Sequence, residues 1–228
     1  MDNYWKRLPV ITRNLIIINF ACWLLDIVLT NRFHVPLSNL LGLHYFLSPD
    51  FHFWQPFTYM FMHAGFDHIF FNMFAVLMFA APLEQRWGSK RFIIYYLISG
   101  LGAAIVQELV WFIFYGQAAT MAVTIGASGA VFGVLFAFGW LFPDVKMFIM
   151  FIPIPIRARV FVIIYALVEL FLGVRGLAGD NVAHFAHLGG MLFGWLTILF
   201  WKYWDNRKRK DNTGQENNWG NYHYQDPI

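Results

Sequence analysis

Apolar residues along this chain come in unbroken runs. The segment "FIIYYLISGLGAAIVQELVWFIF" carries a single acidic residue in a length sufficient to cross a bilayer, for which about 20 residues are enough. "FNMFAVLMFAAPL" and "VFVIIYALVELFLGV" are apolar on nearly every face. Neither alternates apolar with polar positions, as the strand of a membrane barrel must. The pattern predicts helical spans at 14–30, 68–84, 92–114, 126–142, 158–175 and 184–203. The expected fold is therefore all-α: a polytopic membrane protein built as a six-transmembrane-helix bundle over residues 1–204. A polar, Asn-rich tail over 205–228 is expected to be disordered.

Two connections stand apart from the others. Residues 31–67 are too broken to span but rich in aromatic rings, among them Phe33, Tyr45, Phe53, Trp54 and Phe57. Such rings favour the membrane interface, so the segment is expected to lie half-sunk in it. The connection "GQAATMAVT" at 116–124 has no charge and is expected to dip toward the membrane.

Composition supports the membrane reading. Hydrophobic residues make up 59% of the chain and charged residues 13%, against about 45–50% and about 25% in soluble domains. One cysteine, Cys22, excludes an internal disulfide. The pI of about 9.0 suggests nucleic acid until the 16 Lys and Arg are sorted by connection. On a six-span topology all but Arg32 and Arg175 fall on one side. Basic residues favour the cytoplasmic face, so both termini are expected to be cytoplasmic and the protein multi-pass in the cell (inner) membrane. The run "NRKRK" then meets anionic membrane lipid, and no nucleic-acid partner is needed. Span 1 lacks a small-residue cleavage site and is expected to be retained as an anchor.

Polar side chains inside a membrane are costly and mark function. His63, His68 and Asn72 lie around the start of span 2, Ser128 at the start of span 4, and His184 and His187 at the start of span 6. These three spans run in the same direction, so their beginnings share one depth near the outer face. Serine is a weak nucleophile until a base, usually histidine, takes its proton. In the stretch "TIGASGAVFG", Ser128 falls in the first helical turn, where free N–H groups and the positive dipole end can stabilise an oxyanion. His68 and Asn72, four residues apart, share a face and can donate toward the same charge. On span 6, Ala183, Gly190 and Gly194 form a small-residue stripe suited to close helix approach. His187 lies roughly 40° from its centre and His184 roughly 100°, so His187 is the better base. Gly126, Gly129, Ala130, Gly133 and Ala137 form a second stripe that excludes Ser128, which predicts that span 4 is central. Glu169 has no obvious partner and is expected to be structural or gating, Glu108 hydrated, Glu84 paired with Arg86, and His184 a turn cap.

"HIFFN" at 68–72, "GASG" at 126–129 and "AHLGG" at 186–190, in this order, resemble the rhomboid intramembrane serine proteases. "WQPFTYMFMHAGFDH" and "EQRWGSKRF" are also similar to segments of that family, and the resemblance covers about 54–195. It implies a Ser–His dyad of Ser128 and His187 without a third carboxylate. It further implies an oxyanion site made by His68, Asn72 and the Ser128 N–H, and a supporting role for His63. Gly126 and Gly129 match the glycines around the nucleophile, and Gly190 and Gly194 match close-packing positions. Two positions depart from the pattern: Gln55 follows Trp54 where an Arg is common, and Phe132 stands where some members have Tyr. The implied partners are transmembrane protein substrates and membrane lipids, with no cofactor and no metal. The alternatives are a catalytically inactive rhomboid-like binding or escort protein, a metal-dependent hydrolase using His63, His68, His184 and His187, and a transporter. The metallohydrolase lacks an H-E-x-x-H helix, and the transporter lacks paired broken repeats.

Overall fold

The computed structural model describes residues 7–148, 155–175 and 183–212. Among the described residues six principal helices follow in chain order: α1 (Val10–Phe33), α2 (Phe66–Trp87), α3 (Ser89–Val110), α4 (Ser128–Leu141), α5 (Ala158–Arg175) and α6 (His184–Asn212). Each of them overlaps one expected span. Helix α6 continues past the expected end at 203 to Asn212, and residues 213–228 of the expected tail lie outside the described residues.

Among the described residues, four helical stretches are long and apolar enough to cross a membrane: Val10–Phe33, Phe66–Trp87, Ser89–Met121 and His184–Arg207. The chain is thus a largely helical, multi-pass membrane protein. Helix α4, with 14 residues, is shorter than a span, and α5 carries Arg159, Glu169 and Arg175 within its 18 residues. These two helices deliver Ser128 and Glu169. Large apolar side chains face outward around the bundle, including Leu24 and Val28 of α1, Ile105 and Leu109 of α3, and Ile163, Leu167 and Phe171 of α5. An apolar exterior on this scale needs a nonaqueous surrounding.

Side-chain bonds show which helix ends lie together. Glu84, buried near the end of α2, accepts hydrogen bonds from the N–H groups of Ile11 (2.9 Å) and Thr12 (2.7 Å), the Thr12 hydroxyl (2.8 Å) and the Ser89 hydroxyl (2.6 Å). One carboxylate thereby joins the starts of α1 and α3 to the end of α2. Arg91 pairs with Asp205 at 2.8 Å, adding the end of α6 to the same face. Phe79 against Phe138 brings the end of α4 there as well. The starts of α2, α4 and α6 consequently share the opposite face.

Helix α4 is the axis of the bundle. All of Gly129–Leu135 and Ala137–Gly139 is buried, as its glycine stripe predicts. A Cβ at Gly129 would collide with the Ala103 side chain of α3, and one at Gly133 with the Ser99 hydroxyl. The Tyr95 hydroxyl donates to the Gly133 carbonyl at 2.7 Å and ties α3 to α4. Helix α2 has a π-helical stretch over Val76–Ala80, just ahead of Pro82. Proline has no N–H to give the preceding turn and its ring crowds that turn, and a local widening of the helix accommodates both.

The long first connection folds on itself. Gln55, fully buried, accepts from the His44 N–H (3.3 Å) and donates to the Leu40 (3.3 Å) and Asp50 (2.9 Å) carbonyls. At the position where an Arg is common in the resemblance, the amide therefore makes an internal tie. Strand β1 (Leu43–His44) pairs antiparallel with β2 (Val123–Thr124), so the uncharged connection after α3 is pinned to this loop. A second hairpin joins β3 (Lys146–Phe148) and β4 (Pro155–Arg157).

Candidate active site

The turn leading into α4 is built around Gly126. Its φ of +127° is a conformation that side-chain-bearing residues rarely adopt. Its N–H donates to the Tyr59 carbonyl at 2.9 Å, while the Tyr59 hydroxyl donates to the Gly100 carbonyl at 2.7 Å. The turn is thus anchored to α3 through one buried tyrosine. Ser128 opens α4, and the first intrahelical bond runs from the Val131 N–H to the Ala127 carbonyl at 2.9 Å. The N–H groups of Ser128, Gly129 and Ala130 precede that bond and point out of the helix end.

Helix α6 brings His187 to the serine. The two helices touch backbone to backbone: a Cβ at Gly190 would lie 2.7 Å from the Gly129 carbonyl carbon and closer still to its oxygen. One turn earlier on α6, His187 Nε2 sits 2.8 Å from Ser128 Oγ. Phe132, one turn along α4 from the serine, stacks on the imidazole with centroids 4.1 Å apart and planes 6° from parallel. Tyr165 of α5 in turn stacks on Phe132, with centroids 5.1 Å apart.

The other imidazole nitrogen meets α5. His187 Nδ1 lies 2.9 Å from Glu169 Oε2, and His184 Nδ1 lies 2.6 Å from the same oxygen. All three residues are buried, at 8%, 5% and 7% exposure for His187, Glu169 and His184. The family pattern implies no carboxylate behind the histidine; this chain has one. His184, which the sequence suggests as a turn cap, is one of its partners. Among the described residues, Glu169, His184 and His187 are also the group whose ligand atoms could hold a metal ion, all within 4.8 Å of one another.

Helix α2 supplies the facing wall. A Cβ at Gly126 would lie 2.7 Å from His68 Nε2 and 3.6 Å from Ser128 Oγ, so both side chains converge on the glycine. The Ala64 N–H approaches His68 Nδ1 at 3.5 Å. With Nδ1 accepting, the His68 proton resides on Nε2, the nitrogen directed at Gly126. The Asn72 amide donates to the His68 carbonyl at 3.0 Å. His63 packs its ring edge-on to His68, centroids 5.0 Å apart, in a buried loop. Burial pushes its pKa down to about 3, with the neighbouring His68 acting in the same direction.

Ser128, Phe132, His187, His68 and Asn72 line a cavity of about 580 Å³. Its walls are Phe71, Asn72 and Phe79 of α2, Phe161 and Tyr165 of α5, and β2, with Ser128 and His187 at its floor. The structure thus gathers Ser128, His187, His68, Asn72, Gly126 and Phe132 in one place, with His63 behind His68. Gly129, Gly190 and Gly194 lie in the helix contacts that hold them together. Sequence reasoning missed the engagement of Glu169. The signal was available: a carboxylate inside a membrane helix needs a partner, and His184 and His187 were the donors at its depth. Glu108 is likewise partly engaged, its Oε2 accepting from the Phe46 N–H at 3.0 Å.

A family model described as the Rhomboid domain matches residues 50–203. RHOMBOID-like protein 1 of Arabidopsis thaliana is 30% identical over 143 residues, 63% of this chain and 33% of the relative. Rhomboid protein 1, mitochondrial, of Saccharomyces cerevisiae is 32% identical over 139 residues, 59% of this chain and 39% of the relative. Rhomboid-like protein 11, chloroplastic, of Arabidopsis thaliana is 32% identical over 165 residues, 68% of this chain and 55% of the relative. The chain spans well under two thirds of the length of each of these relatives.

Proposed function

This chain belongs to the rhomboid family, and from that premise we propose that it is an intramembrane serine endopeptidase that cleaves membrane-spanning segments near their outer end. What carries the proposal is the 2.8 Å approach of Ser128 Oγ to His187 Nε2 at the floor of the cavity. Ser128 attacks the scissile carbonyl carbon as its proton passes to His187 Nε2. The carbonyl oxygen becomes an oxyanion facing the Ser128 N–H, the His68 Nε2–H and the Asn72 amide, donors of the type that stabilise such charge. Collapse of this intermediate expels the amine, which takes the proton from His187, and leaves an acyl-enzyme. Water, activated by the same imidazole, releases the acyl group.

A substrate helix hides its carbonyls in its own hydrogen bonds. It must therefore unwind locally, and segments with Gly or other helix-weakening residues near the outer surface are the expected substrates. The cavity walls supplied by α2 and α5 leave the side of the bundle between them as the route from the lipid. The topology proposed with this function has six spans over 1–204, the 205–228 tail and both termini in the cytoplasm, and the protein in the cell (inner) membrane.

The test is cleavage of a reporter membrane segment together with labelling by a serine-reactive fluorophosphonate. Ser128→Ala and His187→Ala are each expected to abolish both. Labelling that persists in Ser128→Ala refutes the nucleophile. A folded parent protein that neither labels nor cleaves supports the inactive escort reading instead.

A further inference from the structure

We propose that Glu169 is a positioning residue for this reaction: its Oε2, shared between His184 and His187, fixes the His187 tautomer that accepts the Ser128 proton and faces the imidazolium that results. The inference rests on the serine-peptidase reading above and adds a carboxylate to a reaction for which the family pattern implies none.

The first argument is proton placement. A neutral imidazole carries one N–H, and only the tautomer with its hydrogen on Nδ1 leaves Nε2 free to accept. An ionised carboxylate accepts hydrogen bonds and donates none. With Glu169 Oε2 2.9 Å from His187 Nδ1, the hydrogen is held on Nδ1, and Nε2 keeps a lone pair for Ser128 at 2.8 Å. The second argument is charge. When the serine O–H bond breaks and the new N–H bond forms, His187 becomes a cation at a buried site. The groups around it are Ser128 and Phe132 of α4, Glu169 and Tyr165 of α5, His184 of α6 and, lining the same cavity, Asp67 and His68 of α2. Glu169 is the carboxylate in that set that touches the imidazole. The proton stays on His187 until the leaving amine takes it, and Glu169 remains ionised throughout.

His184 explains how the carboxylate is kept in place. A buried anion with a single donor is costly. His184 Nδ1 supplies a second donor at 2.6 Å. It lies three residues before His187 on α6, so both rings reach the same oxygen from one helix. The competing account is that Glu169 serves His184 alone, as a pin between α5 and α6.

The two accounts separate in a pH profile. The full-length protein in detergent is labelled with fluorophosphonate across pH 5–9, comparing the parent, Glu169→Gln, Glu169→Asp and Ser128→Ala. Glu169→Gln is expected to slow acylation by up to about 10⁴-fold, the loss that follows when an amide replaces the carboxylate behind a catalytic histidine. It is also expected to move the midpoint of the rate–pH profile lower by about one unit or more, because the anion that favours the imidazolium is gone. Glu169→Asp keeps a carboxylate and is expected to keep the parent midpoint at a reduced rate. A folded Glu169→Gln protein with the parent midpoint, labelled at Ser128, overturns this inference and leaves the serine assignment standing. Labelling that persists in Ser128→Ala removes both. If Glu169→Gln does not fold, site-assigned ¹⁵N shifts of His187 in the parent decide: an Nδ1–H tautomer supports the inference and an Nε2–H tautomer overturns it.

Discussion

The backbone contact between α4 and α6 makes Gly190→Ala a sharp probe of the site. The added methyl would lie 2.7 Å from the Gly129 carbonyl carbon, whereas carbon atoms pack at about 3.5–4.0 Å. The helices must separate by at least ~0.8 Å, and by more to clear the oxygen. His187 lies one turn from Gly190 across the same contact, so its 2.8 Å approach to Ser128 stretches to about 3.6 Å or beyond, outside hydrogen-bond range. A misplacement of about 1 Å can lower a rate by about 100-fold. Stability responds less. Overpacking costs about 1–3 kcal/mol, and replacing a mid-helix glycine by alanine returns about 1 kcal/mol of helix propensity. The assay is fluorophosphonate labelling rate beside thermal unfolding in detergent. Gly194→Ala is the comparison, since its methyl would press on the Tyr95 ring two turns from His187; it is expected to shift unfolding similarly while losing much less activity. A folded Gly190→Ala protein labelled at the parent rate, or losing no more than Gly194→Ala, refutes the claim that this contact sets the Ser–His distance.

Phe132→Leu removes the ring stacked on His187; such pairs contribute about 0.5–1.5 kcal/mol, so labelling is expected to slow by roughly 2–12-fold, and Phe132→Tyr is expected to stay near the parent rate. His63 has a folded pKa of about 3 against 6.5 for the free side chain. The unfolded chain therefore binds the extra proton between these values. The associated stability is complete above about pH 6.5 and falls by up to about 1.4 kcal/mol per pH unit as pH drops toward 3; His63→Leu should flatten that part of an unfolding-temperature profile. Exhaustive chelation is expected to leave labelling of Ser128 unchanged. Activity lost to chelator and restored by zinc would move the Glu169, His184 and His187 group from proton handling to metal binding.

The sequence made the helices legible, and with them the gathering of the polar groups at one end of the bundle, because long apolar runs and isolated imidazoles stand out against each other. It also made α4 legible as the central helix, since small residues recur on it at helical spacing while Ser128 stays off that stripe. The sequence pattern starts α4 at 126, two residues early, because glycine periodicity does not reveal that Gly126 turns with positive φ. The partners of Glu169 were hidden for a different reason. Helix α5 is apolar nearly all round, so no face of it announces which way it points, and its rotation is settled only by the neighbours it packs against. The pairing of Leu43–His44 with Val123–Thr124 joins segments far apart in the chain through backbone groups, which leave no mark in side-chain periodicity. Gln55 departs from the family pattern visibly in the sequence, yet its three ties to the loop depend on how that loop closes.

The brevity of α4 has a consequence for where a bond can be cut. Fourteen residues rise about 21 Å, some 9 Å short of a hydrocarbon layer about 30 Å thick. If its far end is level with the other helices, the nucleophile proposed above would rest on a ledge below the lipid headgroups. On the proposed peptidase reading the helix would act as a gauge: its residue count would set how far down a neighbouring chain is severed, and lengthening it by a turn would raise the cut toward the water by about 5 Å.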